Sequence, residues 1–170
     1  MKNKISEITL DNVEDFCVPL ESHPLNWKFE DEGGYISEEF KDQIIPLDSK
    51  AAKFLWDFES TQRHLGNIPK IKDYYKSTLE FYSGSSTNQE VKKWLYNLGV
   101  AFDQKVFWVD QPQWGFILTW KMIIKFSDDL FFGSDAVIWD RTLNWCLNYD
   151  HNDAFYFGKD RIGNTYSGTI

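Results

Sequence analysis

An aspartate and histidine cluster near the C-terminal end has the residue types for metal binding or acid–base chemistry. Asp150, His151 and Asp153 lie in the sequence NYDHNDAFYFG, which spans residues 148–158. Carboxylate and imidazole groups are ligands for divalent metal ions, and a His–Asp pair can act as general acid and base. The quartet DHND is also typical of a hairpin turn, since Asp and Asn side chains bond nearby backbone groups. The sequence favours the turn, whose exposed acids could also contact a partner.

A second acidic cluster precedes the first in the sequence SDDLFFGSD. Asp128, Asp129 and Asp135 could join His151 in a metal site, or serve as paired carboxylates in a glycosidase. Adjacent side chains of an extended chain point in opposite directions, so Asp128 and Asp129 alone make a poor catalytic pair. The simpler interpretation is a turn whose side chains satisfy backbone donors.

Recognised catalytic motifs are missing from the sequence. It contains no GxGxxG, P-loop, HExxH or GxSxG pattern. Its two cysteines, Cys17 and Cys146, are far apart and have no zinc-binding spacing, which indicates reduced thiols. We therefore predict a protein that is not an enzyme, with no catalytic residue, metal ligand or cofactor assigned.

The charge balance limits the class of partner. The 170 residues carry a formal net charge of -8, with a pI of about 4.8. An acidic surface disfavours nucleic acid and anionic membranes, and it favours a basic protein partner. No apolar run resembles a signal peptide or a membrane span, so the sequence predicts a cytoplasmic protein. Its oligomeric state is left open.

Helical periodicity dominates the first two thirds of the chain. Asp48 or Ser49 can cap a first helix, and Thr87 with Glu90 has the spacing of a capping box. The predicted helices are LDSKAAKFLWDFESTQRHLG (47–66), NIPKIKDYYKSTLEFYSG (67–84) and TNQEVKKWLYNLG (87–99). A further apolar run, QPQWGFILTWKMIIKF (111–126), suits either a buried helix or a strand, and its length and Pro112 favour a helix.

Strand patterns dominate the last third. KVFWVD (105–110) reads as a strand, and LFFG, AVIWD, NWCLNY and AFYFG follow as short strand candidates separated by turns. These patterns predict an α+β fold, with a helical N-terminal two thirds packed on a C-terminal antiparallel β-meander. We expect one globular domain over residues 1–170, of which 159–170 form a loose tail.

Aromatic residues make up 18% of the chain and supply much of the expected core. Trp94 lies on a buried helical stripe, whereas Trp56 lies off its helix face and is the better surface candidate. Trp139 or Trp145 could stand beside the acidic residues as aromatic contacts for a partner.

The C-terminal segment resembles a known bacterial pattern. The residues that carry it are Trp120, Ser127-Asp128-Asp129, Val137-Ile138-Trp139, Trp145-Cys146-Leu147, Asp150-His151 and Phe155-Tyr156-Phe157-Gly158. They resemble the ends of small immunity proteins from bacterial polymorphic toxin systems. The earlier stretch NWKFEDEGGYISEEFKDQIIPLDSKAAKFLW resembles uncharacterised bacterial domains of unknown function. Many such immunity tails carry His-Glu-Asp where this chain has His151-Asn152-Asp153, so one acid is missing from the turn.

The resemblance implies an α+β protein that binds and neutralises a cognate toxin, and it carries no individual binding residue over. The acidic residues suggest that a basic toxin domain would contact Asp128, Asp129, Asp135, Asp150, His151, Asp153 and Trp139. Two alternatives stay open. One is a hydrolase or metal-dependent enzyme that uses the C-terminal Asp/His cluster, and the other is a structural component of a larger assembly.

Overall fold

The fold is built on one antiparallel sheet. The computed structural model describes residues 7–163, and the sheet has seven strands in the order β1-β4-β3-β5-β6-β7-β2. Each neighbouring pair is antiparallel. The strands are β1 (Ile44–Pro46), β2 (Tyr75–Tyr82), β3 (Lys105–Gln111), β4 (Trp114–Thr119), β5 (Ala136–Trp139), β6 (Trp145–Asp150) and β7 (Ala154–Arg161).

Short helices cover the sheet on both faces. The α-helices are α1 (Ser49–Thr61), α2 (Ile71–Tyr74), α3 (Asn88–Asn97), α4 (Trp120–Lys125) and α5 (Ser127–Leu130). Single 3-10 turns or short 3-10 helices occupy Val13–Asp15, Leu20–Ser22, Asn26–Phe29, Glu38–Gln43 and Ile68–Lys70. None of the helices in residues 7–163 is long and apolar enough to cross a membrane.

The central strands are buried on both faces. Along β3, Val106 and Trp108 point into one core and Phe107 and Val109 into the other, because side chains alternate along a strand. We call these the front core and the back core. Helices α3, α4 and α5 pack on the front core, whereas α1 and α2 pack on the back core.

Helices α1 and α3 confirm two predictions. The Asp48 carboxylate accepts a hydrogen bond from the Ala51 N–H at 2.8 Å, which caps α1. Thr87 and Glu90 form the reciprocal capping box of α3. The capping signals are local, so the sequence carries them without tertiary information.

The predicted helix over residues 67–84 is wrong for most of its length. The helical part ends at Tyr74, and residues 75–82 form β2, which pairs with β7. The aromatic and β-branched residues of KSTLEFY suit a pleated strand. Their spacing also mimics one face of a helix, and pairing with β7 decides the outcome.

The predicted helix over residues 111–126 is also wrong in its first half. Pro112 and Gln113 form the turn of a β3–β4 hairpin, and the α-helix begins only at Trp120. Strand β4 is buried on both faces, so its sequence is continuously apolar and has no alternation to reveal it.

The predicted division into a helical N-terminal two thirds and a C-terminal meander is therefore wrong. The sheet draws strands from residue 44 to residue 161, and the helices are few and short. The meander of β5, β6 and β7 is confirmed.

The strand expected at LFFG is wrong, because Leu130 ends α5 and Phe132 has a φ of 69°. Residues 159–161 belong to β7, and residues 164–170 of the expected loose tail lie outside the described residues.

Candidate protein-binding surface

Aspartates from separate parts of the chain meet at one end of the sheet. The strand order is β3-β5-β6-β7 and all pairs are antiparallel. The end of β3, the start of β5 and the β6–β7 hairpin therefore lie at the same end of the sheet. Helix α5 lies just before β5. We define the acidic end as the six aspartates that these segments supply: Asp110, Asp128, Asp129, Asp135, Asp150 and Asp153.

An aspartate–histidine pair joins two of the loops. Asp135 Oδ1 lies 3.0 Å from His151 Nδ1 and accepts a hydrogen bond from the His151 backbone N–H at 2.7 Å. Both side chains are well exposed, at 71% for His151 and 63% for Asp135. The hydrogen bond and the charge of Asp135 raise the pKa of His151 above its ordinary value. The pair fixes the loop before β5 against the β6–β7 hairpin.

The hairpin of residues 150–153 is a turn held by its own side chains, as the sequence predicts. Asp150 Oδ1 accepts hydrogen bonds from the Asn152 backbone N–H at 2.8 Å and from Asn152 Nδ2 at 2.6 Å. These bonds lower the pKa of Asp150. Asp153 adopts a φ of 60° and accepts a hydrogen bond from the Tyr149 hydroxyl at 3.0 Å. Each carboxylate therefore has a defined orientation.

Helix α5 supplies the other two aspartates predicted from the sequence. Asp128 Oδ1 lies 3.1 Å from Lys92 Nζ of α3. The backbone carbonyl of Asp129 accepts a hydrogen bond from Lys28 Nζ at 2.7 Å, and the Asp129 carboxylate remains exposed. These contacts tie α5 to its neighbours and leave the acids facing solvent.

Asp110 belongs to the same end, although the sequence does not predict it as a contact residue. Its Oδ1 accepts a hydrogen bond from Ser134 Oγ at 3.2 Å. It lines a shallow groove of about 310 Å³ together with Leu25, Trp27, Lys28, Gln111, Leu130, Gly133 and Ser134. The sequence shows Asp110 only as the end of a strand, and its position depends on the pairing of β3 with β5.

The tryptophans expected beside the acids are not at the surface. Trp139 is fully buried in the back core, where it stacks on Phe58 with ring centroids 5.4 Å apart. Trp145 is also buried, and its Nε1 donates to Asp140 Oδ2 at 2.8 Å near the opposite end of the sheet. The assignment of Trp139 to the contact surface is therefore wrong, because β5 is covered by a core on each face and Trp139 lies at the end of β5 that is farther from the acidic end.

Two other aromatic residues, Phe132 and Trp27, are exposed beside the acidic end. Phe132 is 40% exposed, and its ring lies 5.2 Å from the ring of Tyr149. Trp27 is 50% exposed at the rim of the groove. The sequence gives one signal for Phe132, which is an apolar residue between two acidic clusters in a turn. It gives none for Trp27.

One subset of the acidic end has metal-ligand geometry. A ligand atom from each of Asp135, Asp150 and His151 lies within 4.8 Å of the others. Asp150 is half-buried, whereas Asp135 and His151 are exposed. A cation here would sit at the protein surface, in contact with solvent.

A second group of polar side chains lies on the side of the sheet that faces the back core. We define the buried polar cluster as the buried residues His64, Tyr75, Cys146 and Asn148 together with the half-buried Glu59. The His64 carbonyl accepts a hydrogen bond from the Tyr75 hydroxyl at 3.3 Å and faces Cys146 Sγ at 3.8 Å. Asn148 Nδ2 lies 3.3 Å from the same sulfur.

Burial disfavours the charged form of the titratable groups in this cluster. It raises the pKa of the Cys146 thiol to about 11, so the thiolate required of a nucleophile is scarce at neutral pH. Burial, followed by the charge of Arg161, lowers the pKa of His64 to about 4. Burial also raises the pKa of Glu59 to about 7, and a hydrogen bond from Trp139 Nε1 partly offsets that rise. We interpret the cluster as structural.

Comparisons of the chain with protein-family models, with curated proteins and with solved structures find no match.

Proposed function

We propose that this protein is a bacterial cytoplasmic binding protein, an immunity protein that neutralises a cognate toxin domain through the acidic end. One observation carries the proposal. Aspartates from the end of β3, from α5, from the start of β5 and from the β6–β7 hairpin lie at one end of the sheet, where Lys28 and Lys92 contact α5. The resemblance of the C-terminal segment to immunity proteins supports the same class.

Electrostatics supports a basic partner. A cluster of like charges attracts an oppositely charged protein over a long range, and steering can raise association rates from ~10⁵–10⁶ to ~10⁸–10⁹ M⁻¹s⁻¹. Toxins that cleave nucleic acid present basic surfaces, because they bind phosphates. The net charge of -8 makes the whole chain contribute to that attraction.

Preorganised loops reduce the cost of binding. The Asp135–His151 pair and the Asn152–Asp150 hydrogen bonds hold the carboxylates before any partner arrives. Fewer side chains then lose freedom on association. The exposed rings of Phe132 and Trp27 provide apolar anchors beside the charges, which is the arrangement that interface hot spots favour.

A growth-protection assay tests the proposal. The C-terminal domain of the protein encoded directly upstream is expressed in bacteria, alone and together with this chain. We expect growth arrest from that domain alone and rescue by the wild-type chain. The D128K/D129K variant should rescue poorly, since it reverses two exposed charges of the acidic end.

The D103K variant is the control, and it reverses a single charge outside the acidic end. Asp103 is exposed and precedes β3, at the opposite end of the sheet. This variant should rescue as well as the wild type. Failure of the wild-type chain to bind that domain or to protect against it would refute the proposal.

A divalent-cation enzyme is the second candidate. It is favoured by the convergence of Asp135, Asp150 and His151 within 4.8 Å. Metal analysis of protein purified without chelator, followed by calorimetric titration with Mg²⁺, Mn²⁺ and Zn²⁺, tests it. Binding that is lost in His151→Ala would support this candidate, and the absence of heat with all three ions would remove it.

A further inference from the structure

A small cavity lies at the end of the sheet opposite the acidic end. Its volume is about 180 Å³, and its walls come from the α3–β3 loop, the β5–β6 loop and β7. The residues that line it include Asp140, Trp145, Phe157 and Lys159. Because a cavity of ~150 Å³ can hold a molecule of the size of benzene, this cavity has room for a small organic ligand.

One wall of the cavity contains a buried carboxylate that has no counter-ion. Asp140 is 2% exposed, its Oδ2 accepts a hydrogen bond from Trp145 Nε1 at 2.8 Å, and its Oδ1 accepts hydrogen bonds from the backbone N–H and the hydroxyl of Thr142. No cationic side chain of residues 7–163 forms an ion pair with it, and the neighbouring Arg141 lies 4.0 Å from Asp11 instead. Since an aspartate is rarely buried unless its charge is paired, this carboxylate favours a cationic ligand.

The loop that carries Asp140 has an unusual backbone conformation. Leu143 has a φ of 56°, although it is bulky and only 1% exposed, and its N–H donates to the Asp140 carbonyl at 3.1 Å. Residues other than glycine rarely adopt this region, and backbone strain of this kind is concentrated at ligand-binding sites. The conformation of the β5–β6 loop therefore supports a binding role for the cavity.

Aromatic side chains line the same cavity. The rings of Trp145 and Phe157 have centroids 5.9 Å apart. Aromatic rings beside a carboxylate suit an organic ammonium group, because the ring faces and the carboxylate both attract a cation. Lys159 also lines the cavity, but its side chain is exposed and forms no ion pair with Asp140 among residues 7–163.

We propose that this cavity binds a small primary ammonium compound. The ammonium group donates hydrogen bonds to the carboxylate of Asp140, and the apolar part of the compound contacts Trp145 and Phe157. This inference does not depend on the proposed function.

Two probes of similar size and different charge test the proposal. Benzylammonium chloride and benzyl alcohol are each titrated into the full chain, and binding is followed by nitrogen–proton NMR. Benzylammonium should shift the indole N–H signal of Trp145 to saturation, because that N–H donates to Asp140. Benzyl alcohol should bind at least about tenfold more weakly, and the indole signals of Trp27 and Trp56, which are exposed elsewhere, should not move.

A pair of aspartate variants locates the binding charge. Asp140→Asn keeps the size of the side chain and should weaken benzylammonium binding by about tenfold or more. Asp103→Asn is the matched control, since it removes an exposed carboxylate of the α3–β3 loop that does not line the cavity, and it should bind as the wild type does.

Circular dichroism shows whether both variants fold, and if Asp140→Asn does not, the comparison of the two probes on the wild type decides alone. The absence of a saturable shift in the wild type would overturn the proposal. Equal binding of the two probes would also overturn it, as would equal binding of benzylammonium to Asp140→Asn and the wild type.

Discussion

The acidic end and the buried polar cluster contain the same kinds of side chain in opposite settings. His151 stands in solvent beside Asp135, and its pKa is raised by that contact. His64 is only 3% exposed, and its pKa is lowered to about 4 by burial. The contrast shows that the surroundings of a histidine, and not its residue type, determine whether it is charged near neutral pH and can attract a partner.

Hydrogen bonding differs between the two regions as well. The carboxylates of Asp135 and Asp150 both accept backbone N–H groups and still face water. In the buried cluster, His64 Nε2 and Asn148 Oδ1 have no protein hydrogen-bond partner among the described residues. The carboxylates of the acidic end therefore accept local hydrogen bonds and remain charged in water. The buried cluster instead contains polar atoms without hydrogen-bond partners inside a packed core.

The largest expected effect comes from the core beside the buried cluster. Trp139→Ala should lower the free energy of unfolding by about 3–5 kcal/mol, because it removes a fully buried ring that packs on Phe58 and Phe107. Urea denaturation followed by circular dichroism measures this loss. A loss below ~1 kcal/mol would contradict the full burial of the Trp139 ring.

The pH dependence of stability should reveal Glu59. Its folded pKa of about 7 exceeds the ordinary value of 4.5, so the folded state holds its proton more tightly than the unfolded state. That contribution to stability is fully present below pH 4.5 and is lost as the pH rises to about 7. Glu59→Gln should therefore be more stable than the wild type at pH 8, by about 2 kcal/mol, and similar to it at low pH.

The comparison of Glu59→Gln with the wild type separates Glu59 from His64. The pKa of His64 is lowered, so its contribution is present above pH 6.5 and is lost as the pH falls toward 4. The contribution of His64 is the same in the wild type and in Glu59→Gln, so it cancels in the comparison. Urea denaturation of both proteins across this range provides the measurement, and parallel stability curves would contradict the assignment of Glu59.

Imidazole titration should separate the two histidines directly. In nitrogen–proton NMR spectra, His151 should titrate above its ordinary pKa, and Asp135→Asn should move its pKa back toward that value. His64 should stay neutral at pH values where His151 is already protonated. Equal titration of both rings would remove the distinction between the exposed and the buried region.

The smallest expected effect is on the stability of acidic-end variants. Asp129→Lys should change the free energy of unfolding by less than ~0.5 kcal/mol, because its carboxylate is exposed and has no partner among the described residues. Thermal denaturation measures this, with Asp103→Lys as the control. A large loss of stability would mean that Asp129 is structural, and its assignment to the binding surface would be wrong.

Local signals in the sequence predicted some elements well. Helix α1 follows from the Asp48 cap, α3 follows from Thr87 and Glu90, and the alternation in NWCLNY indicates β6. Strands β2 and β4 could not be recognised in this way. β2 carries a helix-like spacing, and β4 is apolar on both faces, so only their pairing with β7 and β3 defines them.

The local turns of the acidic end were predictable from the sequence, whereas the contacts between its separate segments were not. The turn at residues 150–153 follows from its Asx residues, whereas the contact of Asp135 with His151 depends on the pairing of β5 with β6. Asp110 was missed because its place beside Ser134 depends on the strand order. Trp139 was misplaced because β5 is covered on both faces, and its short apolar sequence has no alternation that would reveal this.

The association rate with the toxin domain tests the acidic end most directly. Stopped-flow mixing of the upstream-encoded domain with wild type, D128K/D129K and D103K, at ~50 and ~200 mM salt, gives the rate constants. We expect D128K/D129K to associate about tenfold more slowly than the wild type at low salt, with D103K within about twofold of the wild type and all differences shrinking at high salt. Equal slowing of both variants, or no dependence on salt, would contradict a docking role for the acidic end.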